Sequence, residues 1–282
     1  VTSPVMTPAF TAIEGGVNEC TDSVTFNNTI RRAKILVDKV TFPAGSSQSF
    51  DFIASYDADG FSLTDAAQPN DSGPLAPGNG YSVAETVPTG WDLTSATCSD
   101  GSSINNISLQ AGETVTCIFT NTQRGTITVV KETNPDGSTQ SFDFESDFMG
   151  DFPLKDGESK TSDLLTPDTY AVSEIVPAGW DLTSATCTDG SDPSAINLGP
   201  GESVTCTFTN TERGHVTVHK TTDGVVNPNR DIKFTLTGPG LPPGGVTLST
   251  SGDADGTLDG FPSLTPGDTY TICENPVPAG FT

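Results

Sequence analysis

The chain has 282 residues, and its 12 Lys or Arg against 36 Asp or Glu give a formal charge of −24. So acidic a surface repels nucleic acid and anionic lipid, and no cluster of basic residues offsets it. Because the sequence has no run of about 18 apolar residues, it predicts no membrane-spanning helix. Short alternating runs between turns rich in Gly and Pro predict an all-β protein.

Residues 1–30 look like the last part of a repeat unit whose first part is missing. The complete repeats are plain, since YSVAETVPTGWDLTSATCSDG from Tyr81 is matched 89 residues later by YAVSEIVPAGWDLTSATCTDG from Tyr170. We therefore expect tandem Ig-like β-sandwich domains, joined head to tail. Their expected ranges are 31–123 (unit one), 124–212 (unit two) and an incomplete 213–282 (unit three).

The count of residues indicates what completes unit three. From Glu85 to Asn121 is 36 residues, and Glu174 to Asn210 gives the same count. Joining the C-terminus to the N-terminus gives 36 again, from Glu274 to Asn28. We expect residues 1–30 to complete a unit of the third type, coming from a neighbouring copy by strand addition or from the next stretch of a longer chain. Either arrangement is a head-to-tail filament.

Each unit places a lysine, a glutamate and an asparagine in line with apolar residues. Side chains at alternate positions of a strand share a face, so these polar residues are predicted to point inward with their Val, Ile, Phe and Tyr neighbours. The first strands carry Lys39, Lys131 and Lys220; the middle strands carry Glu85, Glu174 and Glu274; the last strands carry Asn121, Asn210 and Asn28.

Burial pushes Lys and Glu towards their neutral forms. A neutral lysine amine is a nucleophile, and a protonated Glu donates to the Asn carbonyl, so the three groups in contact can expel ammonia and form a Lys–Asn amide. The alternative is an ordinary Lys–Glu ion pair beside a hydrogen-bonded Asn. The sequence leaves both open, and three copies of the same inward set favour the cross-link.

Six cysteines indicate the compartment. Cys98 and Cys117 are 19 residues apart, as are Cys187 and Cys206, and such pairs without a C-x-x-C knuckle favour disulfides over zinc. Disulfides imply an oxidising, exported location, whereas the alternative is buried free thiols in a cytosolic protein. Cys20 and Cys273 have no mate within their own half-units and are expected to pair across the junction that completes unit three.

YSVAETVPTGW and YAVSEIVPAGW resemble the Y-x-L-x-E-T-x-A-P-x-G-Y box of collagen-adhesin B-type (Cna B) domains, also called prealbumin-like domains. That family builds the stalks of bacterial surface adhesins and the shafts of sortase-assembled pilins. The resemblance implies spontaneous isopeptide bonds, each assisted by a glutamate that serves only this autocatalytic step. The implied sets are Lys39–Asn121 with Glu85, Lys131–Asn210 with Glu174, and Lys220–Asn28 with Glu274. The cysteines are a departure from the family's pilins.

The sequence thus predicts a structural filament or stalk that is extracellular, secreted or attached to the cell surface. Its expected partner is itself, with no nucleic acid, metal or cofactor, and no enzymatic activity on an external substrate is expected. The alternative is an adhesin that binds a host protein or carbohydrate through a loop insertion. The 11 extra residues between Lys220 and Glu274, relative to unit two, are the candidate insertion.

Overall fold

The computed structural model describes residues 29–223, 227, 230–252 and 254–274. Within these ranges the chain consists of β-strands and turns, without an α-helix. Unit one contains β1 (Lys34–Phe42), β2 (Phe50–Ala54), β3 (Asp57–Leu63), β4 (Asn70–Asp71), β5 (Gly78–Tyr81), β6 (Val83–Thr86), β7 (Trp91–Cys98), β8 (Ile107–Leu109) and β9 (Thr114–Gln123).

Two facing sheets enclose the core of unit one. One sheet has the order β4-β1-β9-β7, with β1 parallel to β9, and the other has the order β3-β2-β6, while β5 pairs with β8. Inward and outward residues alternate along β1, whose sequence KILVDKVTF is rich in β-branched residues. Phe52 of one sheet meets Phe119 of the other edge to face, with ring centroids 5.1 Å apart, so aromatic contacts join the two layers.

Unit two repeats this architecture. Its strands are β10 (Thr126–Asn134), β11 (Phe142–Ser146), β12 (Phe152–Leu154), β13 (Ser159–Thr161), β14 (Asp168–Tyr170), β15 (Val172–Ile175), β16 (Trp180–Cys187), β17 (Ile196–Leu198) and β18 (Ser203–Glu212). The sheets have the orders β13-β10-β18-β16 and β12-β11-β15, with β14 paired to β17. The parallel register is also the same, because Lys131 lies opposite Phe208 as Lys39 lies opposite Phe119.

Unit three has fewer described strands. They are β19 (Val218–Lys220), β20 (Lys233–Thr237), β21 (Val246–Ser249), β22 (Gly256–Leu258) and β23 (Thr271–Glu274), in sheets β19-β22 and β21-β20-β23. Within the described ranges, β19 has no parallel neighbour such as β9 provides for β1. Accordingly Val216 and Val218 are only half-buried.

Burial is lower than expected at one inward position of unit three. Ile272 lies opposite the buried Leu236 and shares its face of the sheet, but 39% of its surface is exposed, whereas its counterpart Val83 in unit one is fully buried. The reason is that Val83 lies under the segment that contains Ile104 and Ile107, and no described residues cover Ile272 in the same way. Of the residues expected to complete unit three, 1–30, the first 28 lie outside the described part of the chain.

The units follow one another without a linker. The N–H of Arg124 bonds Gly90 O in unit one, and the N–H of the next residue, Gly125, bonds Leu165 O in unit two. Arg124 also forms a two-pronged ion pair with Asp92 of unit one. The junction to unit three repeats this arrangement with Arg213, Gly179 and Asp181, and with Gly214 bonded to Leu264.

Candidate functional site

A lysine, a glutamate and an asparagine meet inside unit one. Lys39 comes from β1, Asn121 from the neighbouring β9, and Glu85 from β6 of the facing sheet. Lys39 Nζ donates a hydrogen bond to Asn121 Oδ1 at 2.8 Å and lies 3.6 Å from Glu85 Oε1. The side chains of Lys39 and Glu85 are fully buried, and so is Asn121. The alternation therefore predicted the direction of all three side chains.

Unit two contains the same arrangement at nearly the same distances. Lys131 Nζ donates to Asn210 Oδ1 at 2.9 Å and lies 3.5 Å from Glu174 Oε1. Both side chains of the ion pair are fully buried, and Asn210 is fully buried as well. Because the two units share this geometry to within 0.1 Å, it is a property of the repeat.

The surroundings of the site are apolar. Lys39 Nζ lies 4.1 Å from the centroid of the Phe50 ring, and Lys131 Nζ lies at the same distance from Phe142. Both carboxylate oxygens of each glutamate and the Nδ2 of each asparagine are buried without a well-formed hydrogen bond. Each buried polar group without a hydrogen bond destabilises the folded state by about 1–3 kcal/mol. A reaction that removes the lysine charge and the asparagine Nδ2 would relieve part of this destabilisation.

Burial shifts the proton equilibrium in one direction for each group. It lowers the pKa of Lys39 and of Lys131, and this effect outweighs the opposing attraction of the adjacent glutamate. It raises the pKa of Glu85 and of Glu174, although the nearby lysine and asparagine act against it. Both shifts favour a neutral amine beside a protonated carboxyl, the pair needed for nucleophilic attack on the asparagine side-chain amide.

Disulfides join β7 to β9 and β16 to β18. Cys98 is bonded to Cys117 and Cys187 to Cys206, and in each pair the Cα atoms are 4.0 Å apart at directly opposed positions of adjacent antiparallel strands. Each disulfide thus secures the last strand of its unit to the neighbour on the side away from the lysine strand.

The third set of predicted residues is not brought together within the described residues. Lys220 is half-buried and donates to Thr221 O and Thr222 Oγ1, and Glu274 is half-buried at the end of β23. Cys273 is exposed and has a free thiol. Asn28 and Cys20 lie outside the described ranges, so the structure does not place the partners that the sequence assigns to Lys220 and Cys273.

Two kinds of residue near the sites were missed by the sequence reasoning. The buried Thr41 and Thr133 follow each site lysine by two positions, and their backbone N–H groups bond Asp65 and Asp156. The available signal was the motif Lys-x-Thr, which recurs at Lys39, Lys131 and Lys220. The aspartates had no such signal, because they act on backbone atoms from loops of different sequence.

The described residues do not meet the requirements for a metal site or for a membrane-spanning helix. No group of three or more His, Cys, Asp or Glu side chains in them is arranged to hold a metal ion. No helix in them is both long and apolar enough to cross a membrane.

Comparisons with known proteins concern the fold. The family model described as the prealbumin-like fold domain matches residues 35–123 and 127–212. Similar solved structures include the Bacillus anthracis TIE protein, with 16% identity, a TM-score of 0.38, and coverage of 86% of this chain and 45% of that one. The streptococcal ancillary pilin has 14% identity, a TM-score of 0.30, and coverage of 89% and 92%. The major pilin of Streptococcus pyogenes has 16% identity, a TM-score of 0.28, and coverage of 66% and 99%.

All three TM-scores are below 0.5, so these structural similarities do not indicate a function. The chain spans less than half of the B. anthracis protein it is compared with. No curated protein is significantly similar to the chain.

Proposed function

Because the chain belongs to the family of prealbumin-like fold domains, we propose that it is a segment of an extracellular filament or cell-surface stalk that resists tension. In this proposal units one and two are each closed by a Lys–Asn isopeptide bond and a disulfide. The function is mechanical and has no external substrate. The observation that supports it is the pair of buried Lys–Glu–Asn sites with matching distances.

The reaction needs nothing beyond the three side chains. Glu174 takes a proton from the Lys131 ammonium, and the neutral Nζ attacks Cγ of Asn210 while the protonated carboxyl donates to Oδ1. The Nζ–Cγ bond forms and the Cγ–Nδ2 bond breaks. Nδ2 leaves as ammonia with one of the two protons that Nζ releases, and the other remains on Glu174. Holding the reacting groups in contact lowers the activation free energy of such a reaction by on the order of 7–11 kcal/mol. Glu85 acts in the same way between Lys39 and Asn121.

The position of the bond suits a tension-bearing role. The chain enters unit one through β1 and leaves it through β9, and these two strands are parallel neighbours. A bond from Lys39 to Asn121 connects the two strands covalently, so tension passes from one to the other through an amide. The segment between those two residues is then outside the path of the force and cannot be drawn out.

We also propose that unit three is completed by a segment with the sequence pattern of residues 1–30. Within the described ranges β19 has one unpaired edge, and Val216 and Val218 are only half-buried. In units one and two the equivalent edge is paired with β9 and β18, so the open edge of β19 supports the proposal. The segment comes from a second copy or from a continuing chain, with Asn28 reaching Lys220 and Cys20 reaching Cys273. Either source makes the partner of the chain another repeat of its own kind.

Electrophoresis after boiling in reductant tests this part of the proposal. Protein from its native cells is expected to run as a ladder of multiples of the chain mass if copies are joined, or as one very large band if the chain continues. A single band at the mass of one chain contradicts both covalent versions.

Single-molecule stretching tests the mechanical proposal. In reductant, the intact chain is expected to show no extension from units one and two. The Lys131→Ala variant is expected to release the segment that joins the two cross-linked positions, which are 79 residues apart in sequence, or roughly 280 Å at about 3.5 Å per residue. Lys155→Ala is the control, since Lys155 is exposed in the same unit. Equal extension of unit two in the intact chain and the Lys131→Ala variant contradicts the proposal.

A further inference from the structure

A loop carboxylate holds the peptide group beside the site lysine. In unit one, Asp65 Oδ1 accepts a hydrogen bond from the N–H of Thr41 at 2.6 Å. The carbonyl of that same peptide group belongs to Val40, and it accepts a hydrogen bond from Lys39 Nζ at 2.9 Å. One rigid peptide plane therefore connects the carboxylate to the amine.

The connection recurs in all three units. In unit two, Asp156 Oδ1 accepts from the N–H of Thr133 at 2.6 Å, and Glu132 O accepts from Lys131 Nζ at 2.6 Å. In unit three, Asp255 Oδ1 accepts from the N–H of Thr222 at 2.6 Å, while Thr221 O accepts from Lys220 Nζ at 2.8 Å. Unit three has this connection although its described residues bring no asparagine to Lys220, so the connection does not depend on the asparagine.

The carboxylate in unit two is itself fixed. The second oxygen of Asp156 accepts from the N–H of Gly137 at 2.6 Å, which closes the turn after β10. The backbone bonds hold the pKa of Asp156 below its ordinary value, so the group stays anionic and remains a strong acceptor. Asp65 makes the same second bond, to the N–H of Gly45.

The three hydrogen bonds of the lysine ammonium determine where its lone pair lies once a proton has left. Lys131 Nζ donates to Glu132 O, Phe208 O and Asn210 Oδ1. When one proton leaves for Glu174, the two backbone carbonyls keep the remaining N–H groups. The lone pair then points along the third direction, towards the asparagine amide.

We propose that Asp65 and Asp156 are positioning residues for the cross-linking reaction. Each carboxylate fixes the peptide carbonyl that orients the lysine amine towards the side-chain amide of Asn121 or Asn210. This inference rests on the proposed function, because it concerns the rate at which the proposed bond forms.

The charge of the aspartate alone would have the opposite effect. The negative charge of Asp156 works to raise the pKa of Lys131 and so disfavours the neutral amine. If charge were its main influence, removing it would speed the reaction. Positioning requires that removing it slow the reaction, and the sign of the change therefore separates the two roles.

The experiment follows bond formation in the full chain after release from urea. Chain synthesised and kept in urea is diluted into buffer, samples are quenched in acid, and the two cross-linked peptides are quantified by mass spectrometry. In Asp156→Ala, the Lys131–Asn210 bond is expected to form about tenfold more slowly or worse, by analogy with small misplacements of reacting groups. The Lys39–Asn121 bond in the same molecule is expected to keep its rate.

Two further variants sharpen the result. Asp156→Asn keeps an oxygen that can accept from Thr133 N–H, so its rate is expected to fall between those of the intact chain and Asp156→Ala. Asp189→Asn is the matched control, because Asp189 caps the turn at Ser191 in the same unit without contacting the site. It is expected to leave both rates unchanged.

The outcomes separate the inference from the proposed function. If the intact chain folds, by circular dichroism, but forms neither bond, the cross-linking function itself is overturned. If the intact chain forms both bonds and Asp156→Ala forms them at the same or a higher rate, only the positioning role is overturned. Should Asp156→Ala fail to fold, Asp156→Asn decides: a slower unit-two bond supports the role, and an unchanged or faster one overturns it.

Discussion

Burying a lysine beside a glutamate removes two charges from water, and the cost of doing so is several kcal/mol per ion before contacts offset it. In unit two the apolar Phe142 ring faces Lys131, and the oxygens of Glu174 have no well-formed hydrogen bond. An ion pair maintained only for stability is usually better satisfied than this one. The poorly satisfied carboxyl is the arrangement expected of a group that exchanges a proton during bond formation.

Replacing Glu174 by Gln is expected to prevent the Lys131–Asn210 bond. The amide keeps the shape of the side chain but neither takes the proton from Lys131 nor supplies one to Asn210. Peptide mass mapping measures the bond, with unit one as the reference within the molecule. Glu145→Gln is the control, because Glu145 is exposed on the adjacent strand β11. A unit-two bond at the normal extent in Glu174→Gln contradicts the role of the glutamate.

The rate of bond formation is expected to have a bell-shaped dependence on pH. The reactive state holds one proton between Lys131 and Glu174. At low pH the pair takes up a second proton and the amine is lost, and at high pH the pair loses its last proton and the acid is lost. Because burial raises the pKa of Glu174 and lowers that of Lys131, the active range is narrower than the interval from 4.5 to 10.5 that separates the ordinary values. The same rate assay measures it, and a steady rise with pH contradicts it.

At the scale of the strands, the sequence predicted directions better than contacts. The alternation of apolar and polar residues in β9 was sufficient to predict that four side chains point inward, because side chains of a strand alternate between its two faces. These are Val115, Cys117, Phe119 and Asn121, and all four are buried. Alternation could not predict the distance between Lys39 and Glu85, because that distance depends on how the two sheets stack.

Loop contacts and the burial of individual residues could not be predicted from the sequence. The Asp65 contact joins a loop side chain to a backbone N–H group, and no pattern of residue types encodes such a contact. Ile272 shows a different limit, because alternation predicts which way a residue faces and not whether another segment covers it.

Removing the disulfide of unit two is expected to lower the free energy of unfolding of that unit by about 3 kcal/mol, since its bond closes a loop of 19 residues. The variant is Cys187→Ala with Cys206→Ala. Urea unfolding followed by the fluorescence of Trp180, in a Trp91→Phe background, measures the change. Cys98→Ala with Cys117→Ala serves as the reciprocal control and is expected to leave the Trp180 transition in place. No change in unit two on losing its own disulfide contradicts the expectation.

At the scale of the whole molecule, the units are joined without a linker, so the proposed tension would pass directly from one unit to the next. Arg124 belongs to the hydrogen bonds of unit one and Gly125 to those of unit two, and the ion pair of Arg124 with Asp92 supports the same connection. A flexible linker would lengthen under tension before the cross-links carried any of it. The two proposed amide bonds, the two disulfides and the direct junctions are therefore consistent with one mechanical role.

The intact mass of the purified chain, measured after reduction, tests the central claim most directly. Each isopeptide bond removes one ammonia, or about 17 Da, and reduction restores the hydrogens of the disulfides. We predict a reduced mass about 34 Da below that of the sequence, with Lys39–Asn121 and Lys131–Asn210 recovered as branched peptides. A folded chain whose reduced mass equals that of the sequence would contradict the account.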